Sequence, residues 1–179
     1  MKMKRILFLT IFCLSAILCA VPARVDFVGI KGTKLAVSKV FGNAEACQAG
    51  WQKEKRDERL VLEMKVGQNW ETQKFVFIPK NDGIVRIAIM PNKKAQFAFD
   101  RFEVEGAVSK LINPGFEESD SKIKGWSQPA GAEIRSDGAF EGKNYVFISA
   151  KCKSTVVQGI KVKRGVPVTV KFAVKQIPD

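Results

Sequence analysis

The clearest pattern in this chain is the alternation of apolar and polar residues near its C-terminal end. Every second residue is apolar or an amide from Val156 to Val162, and every second residue is apolar from Val166 to Val174. The pair Arg164-Gly165 lies between them and supplies a turn. Because successive side chains of a β-strand point to opposite faces, this spacing predicts two strands, each with one buried face.

The same alternation predicts four strands in the first half of the chain, joined by short turns rich in Gly, Pro, Asn and Asp. They cover Leu60–Val66, Trp70–Ile78, Ile84–Met90 and Gln96–Val104. Residues 24–41 are strand-like too, whereas the polar stretch 43–59 is predicted to be a loop. No segment has a sustained helical period. The fold class is therefore all-β, an antiparallel β-sandwich.

Two segments of this β pattern meet near the middle of the chain, and we divide it into residues 24–107 and 108–179. Phe97–Gly106 alternates like the last strand of a β-domain, whereas Asn113–Glu117 reads like the start of another. The segments either combine in one sandwich, form a small domain and a truncated one, or are pieces of a longer multidomain chain. A half-sandwich alone would leave apolar strand edges unpaired, which favours combination.

The N-terminal residues 1–23 have the composition of a secretory signal peptide. Residues 1–5 carry three cations, Ile6–Leu18 is an uncharged run of 13 residues, and Ala20 and Ala23 are small residues suited to cleavage. The run is too short for a membrane span. We therefore expect a protein that is secreted, periplasmic or exposed at the cell surface.

Composition excludes several kinds of chemistry. The chain has no histidine, which removes Ser-His-Asp and Cys-His nucleophile systems and imidazole metal sites. It has no glycine-rich phosphate loop, and its 18 acids are scattered over predicted strands. We therefore expect a protein that is not an enzyme.

The chain is strongly basic, with a formal net charge of +12 that becomes +9 once residues 1–23 are removed. Such a field suits acidic polysaccharides, mucin-like glycans, anionic lipid surfaces or nucleic acid equally well, but a solvated surface without a specific polyanion groove is the favoured interpretation. Export argues against a nucleic-acid partner.

Two cysteines, Cys47 and Cys152, remain outside the signal region, one in each segment. An oxidising compartment favours a disulfide between them. Two buried free thiols are the alternative, because the sequence does not give the separation of the two Cα atoms.

Two groups of short motifs resemble parts of one known architecture. The later group contains Asn113-Pro-Gly-Phe-Glu117, Gly125-Trp126, Gly138–Gly142, Val157–Val162 and Gly165–Val170. The earlier group contains Trp70–Phe77, Asp82-Gly83 and Phe99–Gly106. The later group resembles the opening half, and the earlier group the closing half, of the jelly-roll carbohydrate-binding modules of the galactose-binding-domain-like superfamily. The halves stand in reversed order, and the chain ends without a second closing half.

The resemblance implies a structural calcium ion where the first and last strands meet. Its ligands would be the carboxylates of Asp100 and Glu117, with backbone carbonyls near Asn113 completing the six to eight oxygens that calcium takes. The alternative is that these are ordinary acids of a turn or a strand edge.

The resemblance also implies carbohydrate binding, in which aromatic rings stack on sugars. Trp51 and Tyr145 are the candidate rings, and Arg56 and Arg59 are basic neighbours that would attract an acidic glycan. Trp70 and Trp126 match structural positions and are expected in the core. The expected function is a secreted binding module for carbohydrate. The alternative is a structural or adhesive fragment of a larger surface protein without a sugar site.

Overall fold

The computed structural model describes residues 21–41, 44–49, 58–118 and 122–178. These residues form β-strands joined by turns and loops, and they contain no helix long and apolar enough to cross a membrane. The strands are β1 (Ala23–Ile30), β2 (Leu35–Phe41), β3 (Ala44–Ala49), β4 (Glu58–Met64), β5 (Glu71–Pro79), β6 (Gly83–Met90), β7 (Gln96–Glu105), β8 (Ala132–Arg135), β9 (Tyr145–Ile148), β10 (Val156–Val162) and β11 (Val168–Ile177).

The strands form two antiparallel sheets that pack on each other as a sandwich. The first sheet has the order β10-β6-β1-β4-β3, and the second has the order β2-β5-β11-β7-β9-β8. This confirms the predicted all-β class and the antiparallel β-sandwich. The predicted loop from residue 43 is wrong for Ala44–Ala49, which pairs with β4 as an edge strand.

The two sequence segments contribute strands to both sheets. β10, from residues 108–179, lies at the edge of the first sheet beside β6. β11 lies in the second sheet between β5 and β7, which both belong to residues 24–107. One apolar cluster includes residues from both segments, so the structure has a shared interior.

Aromatic side chains pack together in this interior, both between the two sheets and within the second sheet. Phe27 of β1 stacks on Phe75 of β5, with 4.8 Å between ring centroids. Phe102 of β7 and Phe172 of β11 stack at 4.9 Å, and the Trp126 ring lies 5.3 Å from Phe102. Trp126 is 6% exposed and belongs to the core. Rings offset in this way add attraction beyond the apolar area that they bury.

Residues 108–112, which begin the second segment, run along the open side of β10. The Val108 N–H donates to Lys161 O at 2.8 Å. The buried Gln158 amide accepts from the Ile112 N–H at 2.6 Å and donates to Ile112 O at 2.9 Å. The Gln158 side chain thereby satisfies the backbone N–H and C=O of Ile112, as a neighbouring strand would otherwise do.

The N-terminal side of β1 is part of the sandwich. Val21 packs against the core, and Ala23, at the end of the expected signal peptide, is fully buried in β1. Of the two predicted cleavage positions, only the one after Ala20 leaves β1 whole. Residues 1–20 lie outside the described part of the chain.

A buried charge cluster lies on the outer face of the first sheet. Asp26 of β1 has no exposed surface, and its carboxylate contacts two guanidinium groups. Arg24 Nε lies 2.7 Å from Asp26 Oδ1, and an Arg59 terminal nitrogen lies 2.6 Å from Oδ2. Both arginine side chains remain one-third exposed, so water still solvates their charges. The Asp26 carboxylate has no contact with solvent, so the two guanidinium groups stabilise its negative charge.

We therefore predict that Asp26→Asn lowers the free energy of unfolding by about 2 kcal/mol, because the buried amide cannot replace the charge-assisted hydrogen bonds to both arginines. Urea unfolding at neutral pH, followed by tryptophan fluorescence, measures the change. The control is Asp137→Asn, at an exposed loop position, which should change stability by less than about 0.5 kcal/mol. Equal effects of the two substitutions would contradict the role given to the cluster.

Candidate functional site

A loop of residues 136–144, here called the covering loop, lies over the outer face of the second sheet. Two carboxylates hold it there. Asp100 Oδ2 accepts the N–H groups of Phe140 at 2.9 Å and of Glu141 at 3.1 Å. Glu117 Oε1 accepts two further N–H groups, those of residues 143 and 144, at 2.9 and 3.0 Å. The loop is therefore fixed through its backbone by acids from both sides of the segment boundary.

Glycine is required where the covering loop passes Glu117. Gly142 has a φ of +69°, and a Cβ at this position would lie 2.4 Å from Glu117 Oε1. A side chain would therefore be strained by the backbone angle and would also meet the carboxylate. This close approach explains the second glycine of the sequence pattern Gly138–Gly142.

Asp100 is a buried acid without a cationic partner among the groups that shift its pKa. Its side chain has no exposed surface, and burial raises the pKa of Asp100 above its ordinary value. Hydrogen bonds from the backbone N–H groups of Glu141, Arg101 and Phe140 lower the pKa, and the nearby charge of Glu117 raises it again. The structure thus brings together two of the three predicted metal ligands, Asp100 and Glu117.

These residues fit a calcium ion in part. The side-chain amide of Asn113 is engaged in both directions with the backbone of Glu118, and Asn113 O accepts the Trp126 indole N–H. Asp100 and Glu117 together accept five backbone N–H groups. Within the described ranges no group of three or more acidic or cysteine side chains is placed to hold a metal. An ion here would need Glu117 Oε2 and several backbone carbonyls.

Beside the covering loop, an aromatic cluster fills the outer face of the second sheet. Trp70 Nε1 donates to Gly138 O at 2.9 Å, and Lys175 Nζ donates to the same oxygen at 3.2 Å. The Lys175 ammonium lies 4.6 Å from the centre of the Trp70 ring and 5.4 Å from that of Tyr145. Tyr145 is 5% exposed, so its ring is part of the packing that supports the loop.

The covering loop forms one wall of a groove of about 290 Å³, here called the sheet groove. Its floor is the outer face of β5, β11 and β7, and it is lined by Thr72, Arg101, Glu103, Phe140, Lys171, Phe172 and Ala173. Phe140 is 37% exposed, and its ring packs edge-on against Trp70 at 6.0 Å. The groove therefore combines one accessible ring face with charged and hydroxyl groups.

The charged groups of the sheet groove are held in a fixed network. Arg101 Nε donates to Glu103 Oε1 at 2.9 Å, and Arg101 also pairs with Glu141 of the covering loop. Lys171 Nζ contacts Glu103 at 3.4 Å and Glu105 at 3.3 Å. The hydrogen bond and charge of Glu105, followed by those of Glu103, raise the pKa of Lys171, so its ammonium is charged at neutral pH.

A larger open hollow of about 540 Å³ lies against the loop of residues 122–132. Its one aromatic residue is Trp126, which is 6% exposed and packs in the core. A sugar needs an open ring face for stacking, and this hollow offers none. The sheet groove is therefore the better candidate.

The predicted ligand residues are not gathered in one place. Trp51 and Arg56 lie outside the described residues. Arg59 lies on the outer face of the first sheet, where it pairs with Asp26, whereas Tyr145 lies in the second sheet. Arg59 therefore forms a salt bridge on one sheet and Tyr145 packs in a cluster on the other, so the two do not form one site.

The structure does not bring the two predicted disulfide partners together. Cys152 is a buried free thiol whose Sγ donates to Ser154 O at 3.2 Å, in the loop that leads into β10. Cys47 belongs to β3, at the opposite edge of the first sheet. Four strand spacings separate β3 from β10, roughly 19 Å. A disulfide needs Cα atoms within about 7 Å.

Sequence reasoning missed most of the sheet groove. It assigned no role in a site to Lys171, Phe140, Arg101 or Thr72. Arg101 has a positive φ of 49° where the pairing of β7 with β11 shifts its register, a local irregularity that alternation does not reveal. Phe140 lies outside any strand, and the long-range contacts of the covering loop, among them its hydrogen bonds to Asp100, place it over the sheet.

We predict that carboxyl-carbon NMR titration finds the pKa of Asp100 above the ordinary range for aspartate. Glu117→Gln should lower the pKa of Asp100, because it removes a nearby negative charge. Glu133→Gln, in β8, is the matched control and should leave the pKa of Asp100 unchanged. An Asp100 that titrates alike in wild type and Glu117→Gln would show that the two carboxylates do not interact.

Similarity to known proteins assigns neither a family nor a function to this chain. No known protein family, no curated protein and no solved structure matches this chain.

Proposed function

We propose that this protein is an exported, non-catalytic binding module that takes carbohydrate in the sheet groove. The observation that carries the proposal is the combination of a partly exposed Phe140 ring with a floor of hydroxyl, carboxylate and cationic groups. Sugars present apolar C–H faces and polar hydroxyl edges, so a site for them needs both kinds of surface.

The groove offers a defined role for each group. The exposed face of Phe140 packs on the C–H face of a sugar ring. The Thr72 hydroxyl and the Glu103 carboxylate accept hydrogen bonds from sugar hydroxyls, while Arg101 and Lys171 donate to them. These groups lie on strands or on the anchored covering loop, so little conformational freedom is lost on binding.

The ion pairs favour binding over hydrolysis. Glycosidases commonly use two acids, one of which is protonated when it acts. Glu103 instead pairs with both Arg101 and Lys171, and Glu141 pairs with Arg101. Both carboxylates therefore already accept contacts from cations, which is the role of a hydrogen-bond acceptor in a binding site.

The site is tested by Phe140→Ala, which should weaken polysaccharide binding about tenfold, the effect of losing about 1.4 kcal/mol of stacking. Affinity electrophoresis of the mature protein through gels containing soluble polysaccharides measures retardation. Val108→Ala is the matched control, because Val108 is 66% exposed and lies beside β10 in the first sheet. Its binding should equal that of the wild type.

Two results would overturn the proposal. If no polysaccharide retards the wild-type protein, the alternative function applies, a structural or adhesive module without a sugar site. If Phe140→Ala and Val108→Ala bind equally well, sugar binding does not use the sheet groove.

A calcium ion bound by Asp100 and Glu117 stays a prediction. What supports it is the pair of neighbouring acids, one of them buried, with no cation among the groups that shift the pKa of Asp100. Such an ion would fix the covering loop and hence the wall of the groove.

If the ion binds, millimolar Ca²⁺ should raise Tm relative to EGTA, because a ligand that binds only the folded state stabilises it. Differential scanning calorimetry of the mature protein measures the shift, and Glu117→Gln should abolish it. An identical Tm in Ca²⁺ and in EGTA would remove the ion from this site.

A further inference from the structure

We propose that the sheet groove continues across β5 to β2 and selects acidic glycans, whose carboxylate or sulfate groups bind at Lys39 and Lys74. This inference rests on the proposed function and specifies the class of carbohydrate. Its basis is a continuous row of side chains on the outer face of the second sheet, and the uneven distribution of charge along that row.

The strand register places the row. Phe41 of β2 pairs with Lys74 of β5, Lys74 pairs with Lys171 of β11, and Lys171 pairs with Glu103 of β7. Residues directly opposite each other in neighbouring strands share a face of the sheet. One face therefore carries an aromatic residue, two lysines and an acid across four strands.

The row is long enough for more than one sugar unit. Three strand spacings separate β2 from β7, about 14 Å. Phe140 and Arg101 stand at the β7 end and Phe41 at the other. A chain of sugars lying across the strands would thus meet a ring at each end and cations between them.

The cations at the β7 end are paired with carboxylates, and those at the β2 end are not. Lys171 pairs with Glu103 and Glu105, as described above. Lys39 Nζ and Lys74 Nζ each lie 4.7 Å from the centre of the Phe41 ring. Within the part of the chain that the structure describes, neither ammonium has a carboxylate within salt-bridge distance.

In this row, the charges that have no counter-ion among the described residues are those of Lys39 and Lys74. Lys74 and Lys171 stand directly opposite each other, and like charges in that position destabilise a sheet. The ring of Phe41 attracts both ammonium groups at its end of the row, but it does not neutralise them. A carboxylate or sulfate placed between Lys39 and Lys74 would contact two cations that no carboxylate of the described residues already holds.

The test uses two pairs of polymers that share a backbone and differ in charge. Polygalacturonate is compared with its fully methyl-esterified form, and dextran sulfate with dextran. The mature protein should bind at least one acidic member about tenfold more tightly than its neutral counterpart. The first pair reports on carboxylate and the second on sulfate, so the preferred pair identifies the anionic group.

The double variant Lys39→Gln with Lys74→Gln should lose about tenfold in affinity for the preferred acidic polymer and none for the neutral one. The control is Lys161→Gln with Lys163→Gln, which removes the same charge from β10 and the turn after it in the other sheet. This control should bind as the wild type does at the same salt concentration. Far-ultraviolet circular dichroism establishes that both variants are folded.

The outcomes separate the two proposals. Equal binding of the acidic and neutral members of each pair overturns the selectivity for acidic glycans and leaves the carbohydrate function standing. Equal losses in the two double variants also overturn it, because binding would then follow the overall charge of the protein. Binding to none of the four polymers, nor to the wider polysaccharide set, refutes the carbohydrate function itself.

Discussion

The pairing of β11 with both β5 and β7 is the constraint on which the rest of the structure depends. β11 pairs with β5 from Val168 to Val174 and with β7 from Thr169 to Ile177. Without it the second sheet would separate into β2-β5 and β7-β9-β8. The same strand presents Lys171 to the groove and Lys175 to the aromatic cluster, and it presents Phe172 to the core. Fold and candidate site therefore originate in one long-range pairing.

The second determinant is the burial of an acid. A buried carboxylate is unfavourable unless hydrogen bonds compensate for the lost water, and Asp100 receives three from backbone N–H groups. Two of these N–H groups belong to the covering loop, so the stabilisation of the acid and the position of the loop are one interaction. These hydrogen bonds fix the wall of the groove, with Phe140 in it, to the sheet beneath. A preorganised wall is what a binding site requires and what a solvated loop would not provide.

Alternation predicted the strands wherever one face is apolar and the other polar, as in Leu60–Met64 and Val156–Val162. It failed for β3, whose sequence Ala-Glu-Ala-Cys-Gln-Ala has small residues where a strand usually carries large ones. The proximity of Asp100 to Glu117 was implied by the resemblance of the motifs around them to a known architecture. The groove did not follow, because it depends on the order of β2, β5, β11 and β7. Sequence spacing along one strand carries no information about which strand is its neighbour.

The hydrogen bonding along β10 affects how the protein behaves in concentrated solution. The outermost strand of a sheet normally displays free amides and carbonyls that invite a second molecule to add on, the first step toward fibrils. Here the Lys161 carbonyl accepts a hydrogen bond from the Val108 N–H, and the Lys161 N–H donates to the Ser109 hydroxyl. The side chain of Gln158 bonds to the backbone N–H and C=O of Ile112. Residues 108–112 therefore cover this edge of the sheet and protect it from pairing with a second molecule.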